Sequence, residues 1–240
     1  MSQIAVIYKS QRDATANLRL NDCALTCAAM LINYIASFQC TVNALVPLSA
    51  EADNDNGEPF ADVVRLLRSH AVDARGQLVR SLDELEPEIV AGRPVVLSLQ
   101  HPVGGARGTV NHAVVIVGLV NGTWIAHDPY TGPFRYVSAH DLWTNATATT
   151  GGAIGNALFV ASAEPMPGVT VAARPIAMGL HVRTKPSADA LSAIVRSIEP
   201  SVRLDVEYAS KDAVYRWWRV VRANDPAIVG GYVAGKYLTV

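Results

Sequence analysis

An almost uninterrupted apolar run near the N-terminus is the first strong element of the chain. It extends from Cys23 to Ile35, is rich in Ala, Leu and Met, and is apolar on nearly every helical face. This pattern predicts a buried helix, with Asn21 or Asp22 as its N-cap. The run is shorter than the roughly 18 apolar residues of a membrane helix, and Asn33 interrupts it, so we expect no membrane segment.

The middle of the chain predicts an antiparallel sheet. Two segments with apolar residues at helical spacing, 60–67 and 82–90, precede it. Four short apolar runs that are typical of strands then follow, at residues 95–99, 112–118, 123–128 and 157–161. Asn121-Gly122 between the second and third runs is a strong signal for a tight hairpin turn. Helices followed by such a sheet indicate an α+β domain over residues 1–163.

A separate small domain is expected at the C-terminus. The segment 162–175 holds three prolines and one glycine and has little periodicity, so we interpret 164–174 as a linker. Five short alternating stretches then fit into residues 175–240, and they predict a small all-β barrel.

Composition and charge narrow the functional classes. Of 240 residues, 50% are hydrophobic and 17% are charged, with a net charge of −1, so a phosphate-binding nucleic-acid surface is disfavoured. The three cysteines are few and odd in number, which does not suggest a disulfide framework. The N-terminus lacks the basic start, the long apolar core and the cleavage site of a signal peptide. We therefore expect cytoplasmic synthesis without a signal peptide.

Metal binding is also disfavoured. The acidic segment 51–59 has the wrong Asp and Gly spacing for a calcium loop and is interpreted as a solvated loop. Cys27 follows Cys23 by four residues but lacks the His or Asp partners of a zinc site. We therefore expect neither a metal ion nor another cofactor.

Cys23 is the first candidate for chemistry, because it begins the predicted helix. Unpaired backbone N–H groups and the positive end of the helix dipole stabilise a thiolate there. The alternative is that Cys23 is a small buried hydrophobe, which its position alone would favour.

His112 and Asp128 change that balance. His112 begins one predicted strand and Asp128 ends the next, so a tight hairpin makes them neighbours at one sheet edge. Asp128 would then orient the imidazole, and His112 would accept the thiol proton and later protonate a leaving group. His127 should point to the opposite face and is interpreted as structural.

Three motifs resemble one family. Asn-Asp-Cys-Ala before an apolar helix, Asn-His-Ala-Val-Val-Ile-Val-Gly, and Trp-Ile-Ala-His-Asp-Pro resemble the papain-like peptidases that process double-glycine leaders of bacteriocins. The resemblance spans roughly residues 17–141. It implies a papain-like α+β fold in which Cys23 is the nucleophile, His112 the base and Asp128 the orienting group.

The chain departs from that family at two positions. Ala24 stands where the family usually has glycine, and Asn17 stands where it has the glutamine that donates to the oxyanion. Asn17 carries the same amide on a shorter stem and is our candidate oxyanion donor, with an ordinary turn residue as the alternative. Gln11 is a weaker candidate because it lies twelve residues before Cys23.

The C-terminal region resembles bacterial SH3-type domains. Leu-His-Val-Arg-Thr-Lys-Pro, Trp-Trp-Arg-Val-Val and Gly-Gly-Tyr-Val-Ala-Gly-Lys-Tyr-Leu carry this resemblance. It implies a barrel that binds cell-wall peptides or other partners, with Tyr208, Trp217 and Tyr232 as candidate contacts and Tyr237 as a further one. Trp218 is expected to be core.

The combined reading is a thiol hydrolase that cleaves a peptide or amide bond. Its expected substrate is a peptide or a peptidoglycan stem, and release by lysis or a dedicated secretion system would suit a phage-type lysin or an injected effector. Two alternatives remain: a catalytically inactive binding module, and a transglutaminase-like enzyme that passes the acyl group to an amine. The sequence gives no oligomeric state.

Overall fold

The described residues of the computed structural model are 2–12, 22–49, 59–105, 111–148, 152–188 and 192–240. The chain divides into two compact units. The first comprises Met1–Leu31, Thr41–Leu67 and Asp73–Ala163, and the second comprises Ile32–Cys40, Arg68–Val72 and Glu164–Val240. No described helix is both long and apolar enough to cross a membrane.

The first unit contains a seven-stranded antiparallel sheet. Its strands are β1 (Ser2–Gln3), β2 (Ala74–Val79), β3 (Val95–Leu99), β4 (His112–Val120), β5 (Thr123–Asp128), β6 (Gly132–Ser138) and β7 (Gly155–Val160). They are paired in the order β2-β7-β3-β4-β5-β6, with β1 on β4. Among the described residues the α-helices are α1 (Cys23–Ile35), α2 (Val42–Leu45), α3 (Phe60–Ser69), α4 (Glu86–Val90) and α5 (Ala139–Ala148).

Helix α1 confirms the first prediction from the sequence. The carbonyl of Asp22 accepts hydrogen bonds from the Thr26 N–H at 2.8 Å and from its hydroxyl at 2.7 Å. Asp22 therefore occupies the N-cap position, where the carbonyl accepts the first intrahelical bond. Most of the helix is fully buried, which explains why it lacks a polar face.

The β4–β5 hairpin is also confirmed. Val120 pairs with Thr123, and the two residues between them, Asn121 and Gly122, have φ values of 50° and 78°. Positive φ at both positions is the type I′ turn that Asn-Gly favours, because its twist matches that of the flanking strands. The turn therefore fixes which residues of β4 and β5 lie opposite each other.

Several elements differ from the sequence prediction. The expected helix over 82–90 is a 3₁₀ turn, Leu82–Glu84, followed by the short helix α4, with Pro87 in its first turn. Strands β2 and β6 and helix α5 had not been predicted. Both of these strands lie at the edges of the sheet and have mostly exposed or half-buried residues, so neither carries an apolar run.

The second unit contains another seven-stranded antiparallel sheet. Its strands are β8 (Thr170–Pro175), β9 (Leu180–Arg183), β10 (Ile194–Ile198), β11 (Leu204–Lys211), β12 (Arg216–Ala223), β13 (Tyr232–Ala234) and β14 (Leu238–Thr239), in the order β10-β9-β13-β12-β11-β8-β14. Strands occupy all five stretches that the sequence predicted. The closed barrel stays a prediction.

The expected linker over 164–174 overlaps a strand. It contains most of strand β8, which pairs with both β11 and β14. Val171 and Ala173 are buried and alternate with exposed neighbours, because this strand has one face in the core. The three prolines had concealed that alternation. The domain boundaries themselves stay a prediction.

The core of the second unit includes a segment from early in the chain. The indole N–H of Trp218, which is fully buried, donates to the carbonyl of Ala36 at 3.2 Å. Its ring packs on Phe38 with centroids 4.4 Å apart. The expected core role of Trp218 is therefore confirmed, and residues 32–40 supply part of that core.

Candidate active site

His112 and Asp128 face each other at one edge of the first sheet. His112 begins β4 and Asp128 ends β5, and the hairpin register brings them together. Nε2 of His112 lies 2.8 Å from Oδ1 of Asp128. Both side chains are buried, with exposed fractions of 7% and 0%, so water does not weaken this bond. The contact expected from the sequence is present.

The Asp128 carboxylate is held by further donors. Its Oδ2 accepts from the Val103 N–H at 2.7 Å, and its Oδ1 accepts from the N–H groups of Tyr130 and Thr131 at 2.8 and 3.1 Å. Burial alone would raise the pKa of Asp128. The hydrogen bonds from His112 and the backbone outweigh burial and lower it, so Asp128 is ionised at neutral pH.

Cys23 completes the group as the first residue of α1, with 6% of its surface exposed. Its side chain shares a hydrogen bond with His112. Since Nε2 of the imidazole faces Asp128, Nδ1 is the ring nitrogen left for the thiol. Burial lowers the pKa of His112, but the bonds with Asp128 and Cys23 raise it overall to about 9. The imidazole is therefore positively charged at neutral pH.

Cys27 and Cys40 lie in different surroundings. Both are fully buried. Burial, followed by the nearby charges of Cys23 and Asp128, raises the pKa of Cys27 well above its ordinary value, so it remains a thiol. The backbone of Cys40 exchanges two hydrogen bonds with the side chain of Asn33, at 2.7 and 3.0 Å. Their placement sets Cys23 apart from the other two cysteines.

His127 is structural, as the strand alternation predicted. Its ring lies between Tyr8 and Phe134 in edge-on contacts of 5.8 and 4.7 Å. Nε2 donates to the carbonyl of Val6 at 2.9 Å, and Nδ1 accepts from the Phe134 N–H at 3.2 Å. These partners fit a neutral imidazole, and burial lowers the pKa of His127 accordingly.

Of the two candidate oxyanion donors, only Gln11 lies among the described residues. Asn17 lies outside the described residues, so its placement stays a prediction. Gln11 is buried, with 3% of its surface exposed, and its N–H donates to the carbonyl of Pro129 at 3.1 Å. It is thus held beside the residue that follows Asp128. Its twelve-residue separation from Cys23 had argued against it.

A cavity of about 520 Å³ borders this group. It is lined by His101, Val103, Gly104, Gly105, Phe134, Arg135, Tyr136, Val137, Ser138 and Asp141. Val103 connects it to the buried pair, because the Val103 N–H donates to Asp128. The side-chain oxygen of Asn145 accepts hydrogen bonds from the N–H groups of Gln100 and His101, which fixes the backbone just before this loop. The sequence had marked only the glycines of this loop.

The aromatic residues singled out in the C-terminal region occupy distinct places. Tyr208 donates its hydroxyl to Glu164 at 3.0 Å. Trp217 is 2% exposed, its indole N–H donates to Asp212 at 2.8 Å, and it lines a cavity of the second unit. Tyr232 is half-buried on β13. Their role in binding substrate stays a prediction.

One comparison with a solved structure supports the fold, and two others have lower TM-scores. A C39-like peptidase from Bacillus anthracis is 15% identical, with a TM-score of 0.50, and the match covers 68% of this chain and 98% of that one. The peptidase domain of Streptococcus ComA, a bi-functional ABC transporter, is 16% identical, with a TM-score of 0.44. That match covers 59% of this chain and 91% of that one. A double glycine motif protease from an AMS/PCAT transporter, in complex with a leader peptide, is 14% identical, with a TM-score of 0.43. That match covers 68% of this chain and 99% of that one.

Sequence comparisons identify the family. Among curated proteins, no sequence matches this chain. The profile of the Peptidase_C39 like family matches residues 3–146, which is more than half of the chain and includes Cys23, His112 and Asp128. The chain therefore belongs to the Peptidase_C39 like family and is a papain-like cysteine peptidase.

Proposed function

We propose that this peptidase cleaves peptide or amide bonds with Cys23 as nucleophile, His112 as proton acceptor and donor, and Asp128 as the orienting group. One observation carries the proposal. His112 is hydrogen-bonded to Asp128 on one side and to Cys23 on the other, and Cys23 is the first residue of α1. A nucleophile, a base and an orienting group in that order are the parts that covalent acyl transfer needs.

In the proposed reaction the thiol proton of Cys23 already lies on Nδ1 of His112 before the substrate is attacked, as the raised pKa of His112, about 9, favours. The thiolate sulfur attacks the substrate carbonyl carbon, and the carbonyl electron pair moves to oxygen. When the carbonyl reforms, the C–N bond breaks and the imidazolium gives its proton to the leaving amine. His112 then removes a proton from water, whose oxygen attacks the thioester. The C–S bond breaks, the acid is released, and the Cys23 thiolate is restored beside the imidazolium. Asp128 remains ionised throughout.

The oxyanion formed during this sequence needs hydrogen-bond donors. The N–H of Cys23 is the proposed first donor, because Cys23 is the first residue of α1 and the positive end of the helix dipole lies there. A side-chain amide from Asn17 is the proposed second donor. Gln11 is the competing candidate, supported by its burial and by the bond between its N–H and Pro129.

Substitution of Cys23 tests the proposal. We expect Cys23→Ala and Cys23→Ser to reduce cleavage of a mixed peptide library about a thousandfold or more while the melting temperature stays near that of the wild type. Cys27→Ala is the matched control, because it removes a thiol from the same helix. Activity that survives in both Cys23 variants would refute the nucleophile assignment. Wild-type protein without activity on any peptide would favour an inactive binding module.

Cell-wall peptides are the proposed substrate class, with the C-terminal unit as a targeting domain of the SH3 type. The resemblance of three C-terminal motifs and a seven-stranded antiparallel sheet in that region support this assignment. We propose release by lysis or by a dedicated secretion system. Digestion of purified peptidoglycan, followed by mass spectrometry of the soluble fragments, is the direct test. New amino termini within the stem peptides are the expected result, and an unchanged digest would contradict it.

A further inference from the structure

The second unit has a cavity of about 320 Å³ that no part of the proposed reaction uses. Its lining includes Leu180, His181, Arg183, Tyr215, Trp217 and Tyr237. Most of these side chains are apolar or aromatic. Such a cavity falls within the size range of small-ligand sites, in which a few polar groups fix the orientation of an otherwise apolar ligand.

The aromatic wall is held in place before any ligand binds. Tyr215 packs edge-on against Trp217, with centroids 5.6 Å apart, and lies 6.3 Å from the ring of Tyr237. The Trp217 indole N–H donates to Asp212 at 2.8 Å. The other oxygen of Asp212 accepts from the N–H groups of Val214 and Tyr215. The wall is therefore preorganised, which reduces the entropy lost on binding.

The charged groups of the cavity are cationic. Arg183 lines it, and no acidic side chain does so among the residues that the structure describes. Lys236 lies beside it, with Nζ 4.3 Å from the Tyr215 ring centroid and 4.9 Å from that of Tyr237. A hydrogen bond with Tyr237, chiefly, raises the pKa of Lys236, so this amine stays protonated. The cavity thus presents positive charge next to apolar surface.

We propose that this cavity binds the C-terminal end of a peptide. The terminal carboxylate pairs with Arg183 and Lys236, and the last side chain, which is apolar, packs against Tyr215, Trp217 and Tyr237. This inference deepens the proposed targeting role of the C-terminal unit and does not depend on the catalytic assignment.

A free terminal carboxylate fits the cavity better than an internal peptide segment does. One terminal nitrogen of the Arg183 guanidinium already donates to the Ser192 carbonyl at 2.9 Å, so a carboxylate would accept from the N–H groups that remain, and charge-assisted bonds of this kind are about twice as strong as neutral ones. An internal segment would fill the apolar part but would leave the cationic groups without a charged partner. Only a chain end places an anion within one residue of an apolar side chain without requiring an acidic residue.

The test compares a free acid with its amide. The probes are N-acetyl-Gly-Gly-Leu with a free C-terminus, the same peptide as a C-terminal amide, and sodium acetate. Calorimetric titration uses the full chain with Cys23→Ala, so that turnover does not consume the probe. We expect the acid to bind about tenfold more tightly than the amide, as a charge-assisted bond predicts, and acetate to bind more weakly than the acid.

Charge-removing variants locate the site. In the same background, Lys236→Met and Arg183→Met should each reduce the preference for acid over amide. Arg174→Met is the matched control, because it removes an exposed positive charge of the same unit outside the cavity lining. Melting curves confirm that each variant is folded, and Lys236→Met, at an exposed position, decides the question should Arg183→Met unfold.

Three results would overturn the inference: equal binding of acid and amide, binding of acetate as tight as that of the acid, or an equal loss in Arg174→Met. The outcome is separable from that of the proposed reaction. Acid-selective binding by a protein without peptidase activity would refute only the reaction. Peptidase activity without acid-selective binding would refute only this inference.

Discussion

The carboxylate of Asp128 accepts a hydrogen bond from Nε2 of His112 at 2.8 Å. The same carboxylate accepts three backbone N–H bonds, from Val103 before β4 and from Tyr130 and Thr131 after β5. The Thr131 hydroxyl also donates to the Val103 carbonyl at 3.0 Å. Asp128 therefore joins the segment before the hairpin to the segment after it, in addition to contacting the imidazole.

These two tasks of Asp128 can be separated by substitution. Asp128→Asn keeps the shape of the side chain and one acceptor oxygen but removes the charge and the second acceptor, so we expect kcat/KM to fall about 100-fold to 10,000-fold, with a smaller loss of stability than Asp128→Ala causes. Asp128→Ala also leaves the three N–H groups and the charged His112 without their acceptor, so it should lower the free energy of unfolding by about 3–5 kcal/mol. Steady-state kinetics and urea titration measure the two effects. Equal stability of both variants would contradict the joining role.

The raised pKa of His112 predicts the alkaline limit of activity. The imidazolium donates the proton that the leaving amine needs, so kcat/KM should decline with a midpoint near pH 9. The sign for stability follows from the same shift. The charged imidazole stabilises the fold fully below pH 6.5, its ordinary pKa, and this contribution is lost as the pH rises through about 9.

Removing either neighbour of His112 should lower its pKa, because the bonds with Asp128 and Cys23 raise it while burial opposes them. Histidine NMR titration of Cys23→Ala and Asp128→Asn measures this. His140→Ala removes an exposed histidine and serves as the control for signal assignment and for the pH profile. A His112 titration near pH 9 in both variants would show that neither neighbour contributes.

The three thiols should differ in their reaction with iodoacetamide. Cys23 has 6% of its surface exposed, whereas Cys27 and Cys40 have none. We expect alkylation of Cys23 alone in the native protein and of all three in urea, as measured by peptide mass spectrometry. His112→Ala should slow the Cys23 reaction, because the imidazolium stabilises the thiolate. Native labelling of Cys27 at a comparable rate would contradict the described burial.

Two amide side chains compete for the oxyanion role, and their variants discriminate them. Loss of a single oxyanion donor typically reduces kcat about 100-fold to 1,000-fold with little effect on KM. We expect Asn17→Ala to show this loss and Asn17→Gln to retain most activity. The matched variant Gln11→Ala should then affect stability more than kcat. The reverse pattern would transfer the role to Gln11.

Gly235 tests the packing of residues 32–40 in the second unit. A Cβ at this position would lie 2.7 Å from Nε1 of Trp218 and 3.0 Å from the carbonyl oxygen of Ala36. We expect Gly235→Ala to lower the free energy of unfolding by about 1–3 kcal/mol, through overpacking and loss of the Trp218–Ala36 hydrogen bond. Gly76→Ala is the control, because a Cβ there meets nothing within 4 Å. Equal stability of the two variants would refute this packing.

Local sequence patterns determined the parts of this protein that neighbouring residues can specify. The apolar run after Asp22 forms α1 because burial on all sides needs no polar face. Asn121-Gly122 fixes the β4–β5 hairpin because few other residue pairs tolerate two positive φ values. From these two elements alone, Cys23 could be placed at a helix start and His112 beside Asp128.

Tertiary structure decided the rest. Edge strands β2 and β6 pair on only one side and are mainly exposed or half-buried, so no apolar pattern marked them. Strand β8 follows Pro165 and Pro167 and ends at Pro175, so its pairing with β11 and β14 was not visible in the local sequence. Two of the three backbone donors to Asp128, Tyr130 and Thr131, lie within three residues of it, but Val103 lies 25 residues away, and no local pattern encodes that contact. The sequence determined which groups could react, and long-range packing decided which atoms meet.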